Sequence, residues 1–212
     1  MTGSSWKLAA AAIIFASSAL PAAAGPIVTT VEAIGSIGFG AKAGSTVIDF
    51  NSGLPSDPVF SGSGSLYGLY TGTTAGVAAT PFGDATQYYS TGLGTTTITF
   101  DEDNTYLGLL WGSVDAYNSI AFYKDGNLIG TINGAAIRNP ANGDQGIGGT
   151  YYVNFEVDGG YDSVRLISTN YSFEIDDLAY GSDYLRLIPE PAAALLLSAG
   201  LFALGYARRR RA

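Results

Sequence analysis

Trp111, Ser113, Asp115 and Tyr117 fall within one seven-residue stretch and bring together an aromatic face, a hydroxyl, a carboxylate and a phenol. An aromatic ring stacks on the C–H face of a pyranose while a nearby carboxylate accepts its hydroxyl hydrogens, so Trp111, Asp115 and Tyr117 are candidates for carbohydrate binding. The weightier reading of the same stretch is architectural. Trp111 ends an apolar run and plugs a core, with Asp115 and Asn118 shaping the turn that follows. Other rings remain available among the fourteen tyrosines. In strands, Tyr88-Tyr89 and Tyr151-Tyr152 point to opposite faces, so at most one ring of each pair is exposed.

Carboxylates are the second chemical resource. Asp101 and Asp103 crowd one segment and Asp176 and Asp177 another. Calcium takes six to eight hard oxygen ligands, so a structural calcium ion is the one cofactor these residues suggest. Neither cluster has EF-hand spacing, and solvated acidic turns explain both more simply. A glycosidase needs two carboxyl groups facing each other across a cleft. Asp115, Glu156 and Glu174 are present, but nothing in the sequence pairs them, and the chain reads as non-catalytic. Histidine and cysteine are absent, which removes Ser-His-Asp triads, thiolate nucleophiles, disulfides and His or Cys metal sites together. Thr95, Thr97 and Thr99 share one strand face, yet one row is not the flat repeated array that ice binding requires. They read as ordinary edge-strand threonines.

The elements that must position these groups are β-strands. Runs of Val, Ile, Thr, Tyr and Phe alternate with Gly, Asn and Asp, and no long helical period appears between the two ends. The pattern predicts strands over residues 27–33, 45–50, 95–100, 106–112, 119–123, 128–132, 151–156, 163–168 and 172–180. Asp125-Gly126, which readily adopts positive φ, predicts a tight hairpin joining 119–123 to 128–132. Phe173 and Ile175 alternate with Glu174 and Asp176, which predicts a half-buried strand with its carboxylates outward. Residues 51–94, rich in Gly, Ser and Thr, read as a long surface excursion with one or two edge strands. Nine short strands with this punctuation fit an all-β, jelly-roll-like antiparallel β-sandwich.

The two ends read differently. Lys7, an apolar stretch over 8–20, Pro21 and the small residues Ala22 and Ala24 before Gly25 form a signal helix with a signal-peptidase site, so residues 1–24 are expected to be removed. At the other end, Pro189, Glu190 and Pro191 precede an uncharged run over 192–207, which is followed by Arg208, Arg209, Arg210 and Arg211. Such a run satisfies its backbone in lipid only as a helix, and the arginines hold its end on the cytoplasmic side. The region between, 25–188, is then one exported domain. Without Lys7, Glu190 and the four terminal arginines it keeps 17 acidic and 5 basic residues, a net charge of −12. That charge opposes binding to nucleic acid or anionic lipid.

The order Pro-Glu-Pro, short apolar helix and Arg cluster over 189–212 resembles the PEP-CTERM sorting signal of bacterial proteins handled by an exosortase. The resemblance implies a temporary membrane anchor, cleavage near Pro189 to Pro191 and delivery to the cell surface or extracellular matrix. Within the body, the run 106–123 with its signature Trp111-Gly-Ser-Val-Asp-x-Tyr-Asn118, the segment 149–155 and the segment 171–178 resemble a family of exosortase-dependent bacterial surface proteins defined by sorting and sequence. Its partners would be signal peptidase, exosortase and extracellular polysaccharide. It implies no catalytic residue.

Overall fold

A computed structural model describes residues 26–182. Both predicted terminal helices, the signal-peptidase site at Ala22, Ala24 and Gly25, and the sorting motif from Pro189 to Arg211 lie outside the described residues. Among the described residues, no helix is long and apolar enough to cross a membrane.

The body is all-β and antiparallel. Eight strands follow in order: β1 (Ile27–Ala33), β2 (Thr46–Ile48), β3 (Val59–Thr71), β4 (Gln87–Gly112), β5 (Asn118–Lys124), β6 (Asn127–Asn133), β7 (Tyr151–Ser168) and β8 (Glu174–Gly181), with a single-turn helix α1 (Gly134–Ile137) after β6. Two long strands organise the rest. The first part of β4 pairs with β3 and with the end of β7, its last part pairs with the start of β7, and β8 pairs with both parts. β7 likewise meets β1 through its first half and β5 through its second. β6 and β2 extend the array from β5 and β8.

The core follows the two-residue period of a pleated strand. Leu107, Leu109 and Trp111 of β4 face the same cluster as Ile120 and Phe122 of β5, Val153 and Phe155 of β7, and Phe173, Ile175 and Leu178 around β8. Trp111 is 0 % exposed and stacks on Phe173 with ring centroids 4.3 Å apart. The hairpin forms where Asp125-Gly126 places it: both residues have positive φ, and Lys124 pairs with Asn127.

Several expectations are corrected. The segments 95–100 and 106–112 belong to one strand, as do 151–156 and 163–168, because the punctuation between them makes irregular pairing rather than a turn: the register shifts between Thr99 and Tyr106, and Gly159 and Gly160 take positive φ inside β7. The excursion 51–94 contains the expected edge strand, β3, but about half of it is ordered as the β3–β4 ladder. Its glycines are loop-like in composition but serve close backbone approach. A Cβ on Gly64 would lie 2.0 Å from the Leu93 carbonyl oxygen, and one on Gly94 would lie 2.0 Å from that of Ser63. Thr95, Thr97 and Thr99 stand on a central strand, paired on both sides, and not on an edge. The strand 172–180 is not half-exposed, since Glu174 and Asp176 are 1 % and 2 % exposed. The loops preceding β4 cover that face: Ala79 donates its N–H to Glu174 and Thr86 its hydroxyl to Asp176.

Candidate functional site

A polar cavity of about 640 Å³ opens where the turn after β4, the loop before β8 and the loop 73–79 meet. Asp115, Tyr117, Ser113, Glu174, Tyr171 and Asn142 supply most of its chemistry. Its size is that of an ordinary small-ligand site. The lining contains no Lys or Arg, and Asp115 and Glu174 are its two ionisable carboxyl groups.

The turn that builds one wall is the stretch Trp111 to Asn118. Gly112 passes the ring of Pro81 so closely that a Cβ there would meet Pro81 Cγ at 3.0 Å. Ser113 then adopts a positive φ of 39° and donates its hydroxyl to Glu174 at 2.8 Å. Val114 donates its N–H to the Gly149 carbonyl and accepts from Gly143. Asp115 is pinned by a bridge to Asn142 and by α1, where a Cβ on Gly134 would stand 2.0 Å from the Asp115 carbonyl oxygen. Tyr117 donates its hydroxyl to the Tyr171 carbonyl at 2.7 Å, and Asn118 donates its side-chain amide to that of Ser172 at 2.8 Å. Ser168 completes the clamp by donating to Asn118 Oδ1 at 2.6 Å. Long-range contacts thus fix both walls, because the hydroxyl and amide groups that follow Trp111 hold the backbone entering β8.

Glu174 forms the floor. Its carboxyl accepts from the Ala79 N–H at 2.9 Å and from the hydroxyls of Ser113 and Ser172. Burial pushes this carboxyl above its ordinary range, and those donors offset part of the effect. Asp115 is also raised by burial, with partial relief from the neighbouring Tyr117 hydroxyl. Burial, followed by the influence of Asp115 and then Glu174, raises Tyr117 well beyond the usual phenol range. The phenol therefore remains a neutral hydroxyl at physiological pH. The cavity offers space for a small ligand, neutral hydroxyls and amides, and carboxyl oxygens that accept hydrogen bonds.

The structure divides the predicted site residues. Asp115 and Tyr117 line the cavity, whereas Trp111 is sealed in the core behind it and presents no ring face to a ligand. Of the three carboxylates weighed for glycoside chemistry, Asp115 and Glu174 come to one cavity and Glu156 instead pairs with Lys42. Asp101 and Asp103 lie within β4, where the Asp101 N–H bonds to Asp57 and Asp103 pairs with Lys124. Asp176 neighbours Asp84 and Asp177, away from that pair along β8. Among the described residues, no group of three or more His, Cys, Asp or Glu is placed to hold a metal ion.

Sequence reasoning missed Tyr171, Asn142 and the loop 73–79. The Gly-Thr-Ala composition of that loop carries no chemical signal of its own. A clue lay in Glu174, a carboxylate flanked by Phe173 and Ile175 in an apolar strand, which demanded donors from a covering segment.

No family model matches the chain, and no curated protein matches it. Among solved structures, it is similar to the enzymatically active domain of tailspike protein 4 of bacteriophage CBA120, at 17 % identity and a TM-score of 0.33, over 68 % of this chain and 21 % of that one. The chain thus spans about a fifth of that structure's length.

Proposed function

We propose that this chain is an exported bacterial surface protein, sorted by exosortase through residues 189–212, whose β-body is non-catalytic and associates with extracellular polysaccharide through the cavity at Asp115 and Tyr117. In this reading the body is a jelly-roll-like sandwich in which β4 and β7 contribute to both layers. Signal peptidase removes residues 1–24, and the C-terminal helix anchors the protein in the membrane until exosortase acts. The cavity itself carries the proposal: it is rich in hydroxyls and amides, is lined by no Lys or Arg, and includes the half-buried rings of Tyr117 and Tyr171. Sugars are recognised by this combination of hydrogen-bonding groups and ring faces.

The non-catalytic reading rests on how Glu174 is used. Both of its oxygens accept from protein donors that tie three segments together, which makes it a structural floor and not a group poised to exchange a proton with a substrate.

Ala75 tests the cavity because it lines the opening from an exposed loop position. Ala75→Trp is expected to fill the entrance while leaving the fold unchanged. In affinity electrophoresis through gels containing the host's extracellular polysaccharide, the wild type should be retarded, and the variant should bind at least about tenfold more weakly. Equal retardation of the two would remove the cavity from the account.

A further inference from the structure

We propose that the carbohydrate site extends beyond the cavity onto β3, where Tyr67 provides an exposed stacking platform for an uncharged glycan chain. The inference rests on the reading of the cavity as a sugar site and adds both a second subsite and a ligand class.

The platform is built by a glycine. A Cβ placed on Gly62 would lie 2.3 Å from Cδ2 and Cε2 of Tyr67 and 2.6 Å from its Cγ. The Tyr67 ring therefore lies over the Gly62 backbone, in space that any other residue would occupy. Leu66, with φ at 61°, reorients the strand immediately before Tyr67. The residue is nonetheless 46 % exposed, so the ring is supported from beneath and still open to solvent. A supported, exposed aromatic ring suits a sugar's C–H face, because little conformational freedom remains to be lost on binding.

Tyr171 connects the platform to the cavity. It lines the cavity, and its hydroxyl reaches Ser65 Oγ at 2.9 Å, two residues before Tyr67 in β3. A chain leaving the cavity past Tyr171 meets the β3 surface there.

Charge selects the ligand. The thirteen residues of β3 contain no ionisable group except the phenols of Tyr67 and Tyr70, and the cavity contributes carboxyl groups without a cation. The basic residues of the described body are engaged elsewhere: Lys42 with Glu156, Lys124 with Asp103, Arg138 with Asp144, and Arg165 over the Tyr123 ring. Among the described residues, an anionic glycan would find no Lys or Arg in the cavity lining or on β3 and would be repelled by the body's excess of carboxylates.

The test uses the full chain in a zwitterionic, sugar-free detergent. Its probes are the neutral and acidic fractions of the host's extracellular polysaccharide, each used intact and after partial hydrolysis to short oligosaccharides. Tyr67→Ala should weaken binding of the intact neutral fraction about tenfold, the loss of one aromatic contact, and leave binding of the short neutral fragments unchanged. Tyr67→Phe should bind like the wild type, because the ring face is retained. If Tyr67→Ala matches the wild type on intact chains while Ala75→Trp still weakens binding, the extension is wrong and the cavity reading stands. Tighter binding of the acidic fraction than the neutral one overturns the ligand class. If the wild type retains neither fraction, the cavity reading and the extension fall together.

Discussion

Trp111→Ala is expected to destabilise the body by about 3–5 kcal/mol, the usual cost of removing a large aromatic side chain from a close-packed core. Trp111 is completely buried, stacked on Phe173 and enclosed by strands from both parts of the array, so its removal leaves a cavity that rigid pleated strands cannot close. Trp111→Phe should be far milder, at about 1 kcal/mol or less. The indole N–H meets no acceptor among the described residues, and deleting an unsatisfied buried donor recovers part of the packing loss. Urea denaturation followed by circular dichroism separates the two variants. Equal destabilisation by Phe and Ala would show that the indole N–H makes a bond the described structure lacks. Because Trp111 acts from within the core, folded Trp111→Phe protein should still bind polysaccharide.

The second large effect is a dependence of stability on pH, centred on Asp176. Its carboxyl is pushed up to about 8, first by burial, then by the hydrogen bond to Asp84 and by the charges of Asp84 and Asp177. Asp176 also accepts from the Asp177 N–H at 2.7 Å and from the Thr86 hydroxyl at 3.1 Å, so it is held against Asp84 rather than free to turn away. Between about pH 4 and pH 8 the folded protein retains this proton and the unfolded chain has lost it. Folding therefore takes up a proton in that window, and stability falls as pH rises through it. Above about pH 8 both states are ionised and the contribution is constant. The loss should be on the order of 2 kcal/mol once solvent screening is allowed for. Glu174 and Asp115 are also raised by burial and act in the same direction. Asp84 is lowered, so its stabilising contribution disappears only under more acidic conditions. Asp176→Asn retains a donor toward Asp84 without the titration and should flatten most of the decline in Tm between pH 5 and pH 8. An unchanged slope in that variant would assign the pH dependence to the other carboxyl groups.

The all-β class and the β5–β6 hairpin were legible because they depend on local rules: strand-forming side chains and a two-residue turn that needs positive φ. The core role of Trp111 was legible as well, since an indole at the end of Leu109-Leu110 has few other places to go. The β3–β4 ladder was not. Gly62, Gly64, Gly92 and Gly94 are signs of a loop when read alone, yet here they allow backbone and ring contacts that no Cβ could tolerate. The alternation around Glu174 correctly divided the two faces of β8 but not their exposure, because burial of the carboxylate face depends on a loop nearly a hundred residues away in sequence. The same distance concealed the cavity. Asp115 and Tyr117 could be identified as chemically able, whereas their meeting with Glu174 and Tyr171 depends on how the turn after β4 packs against the entrance to β8.

The most direct measurement is the intact mass of the native protein recovered from the extracellular polysaccharide fraction and from membranes, in cells with and without exosortase. The account predicts a species in the polysaccharide fraction that lacks residues 1–24 and ends near Pro189, and that disappears when exosortase is absent. An intact C-terminus found only in membranes, whether or not exosortase is present, would contradict it and leave a tail-anchored envelope protein.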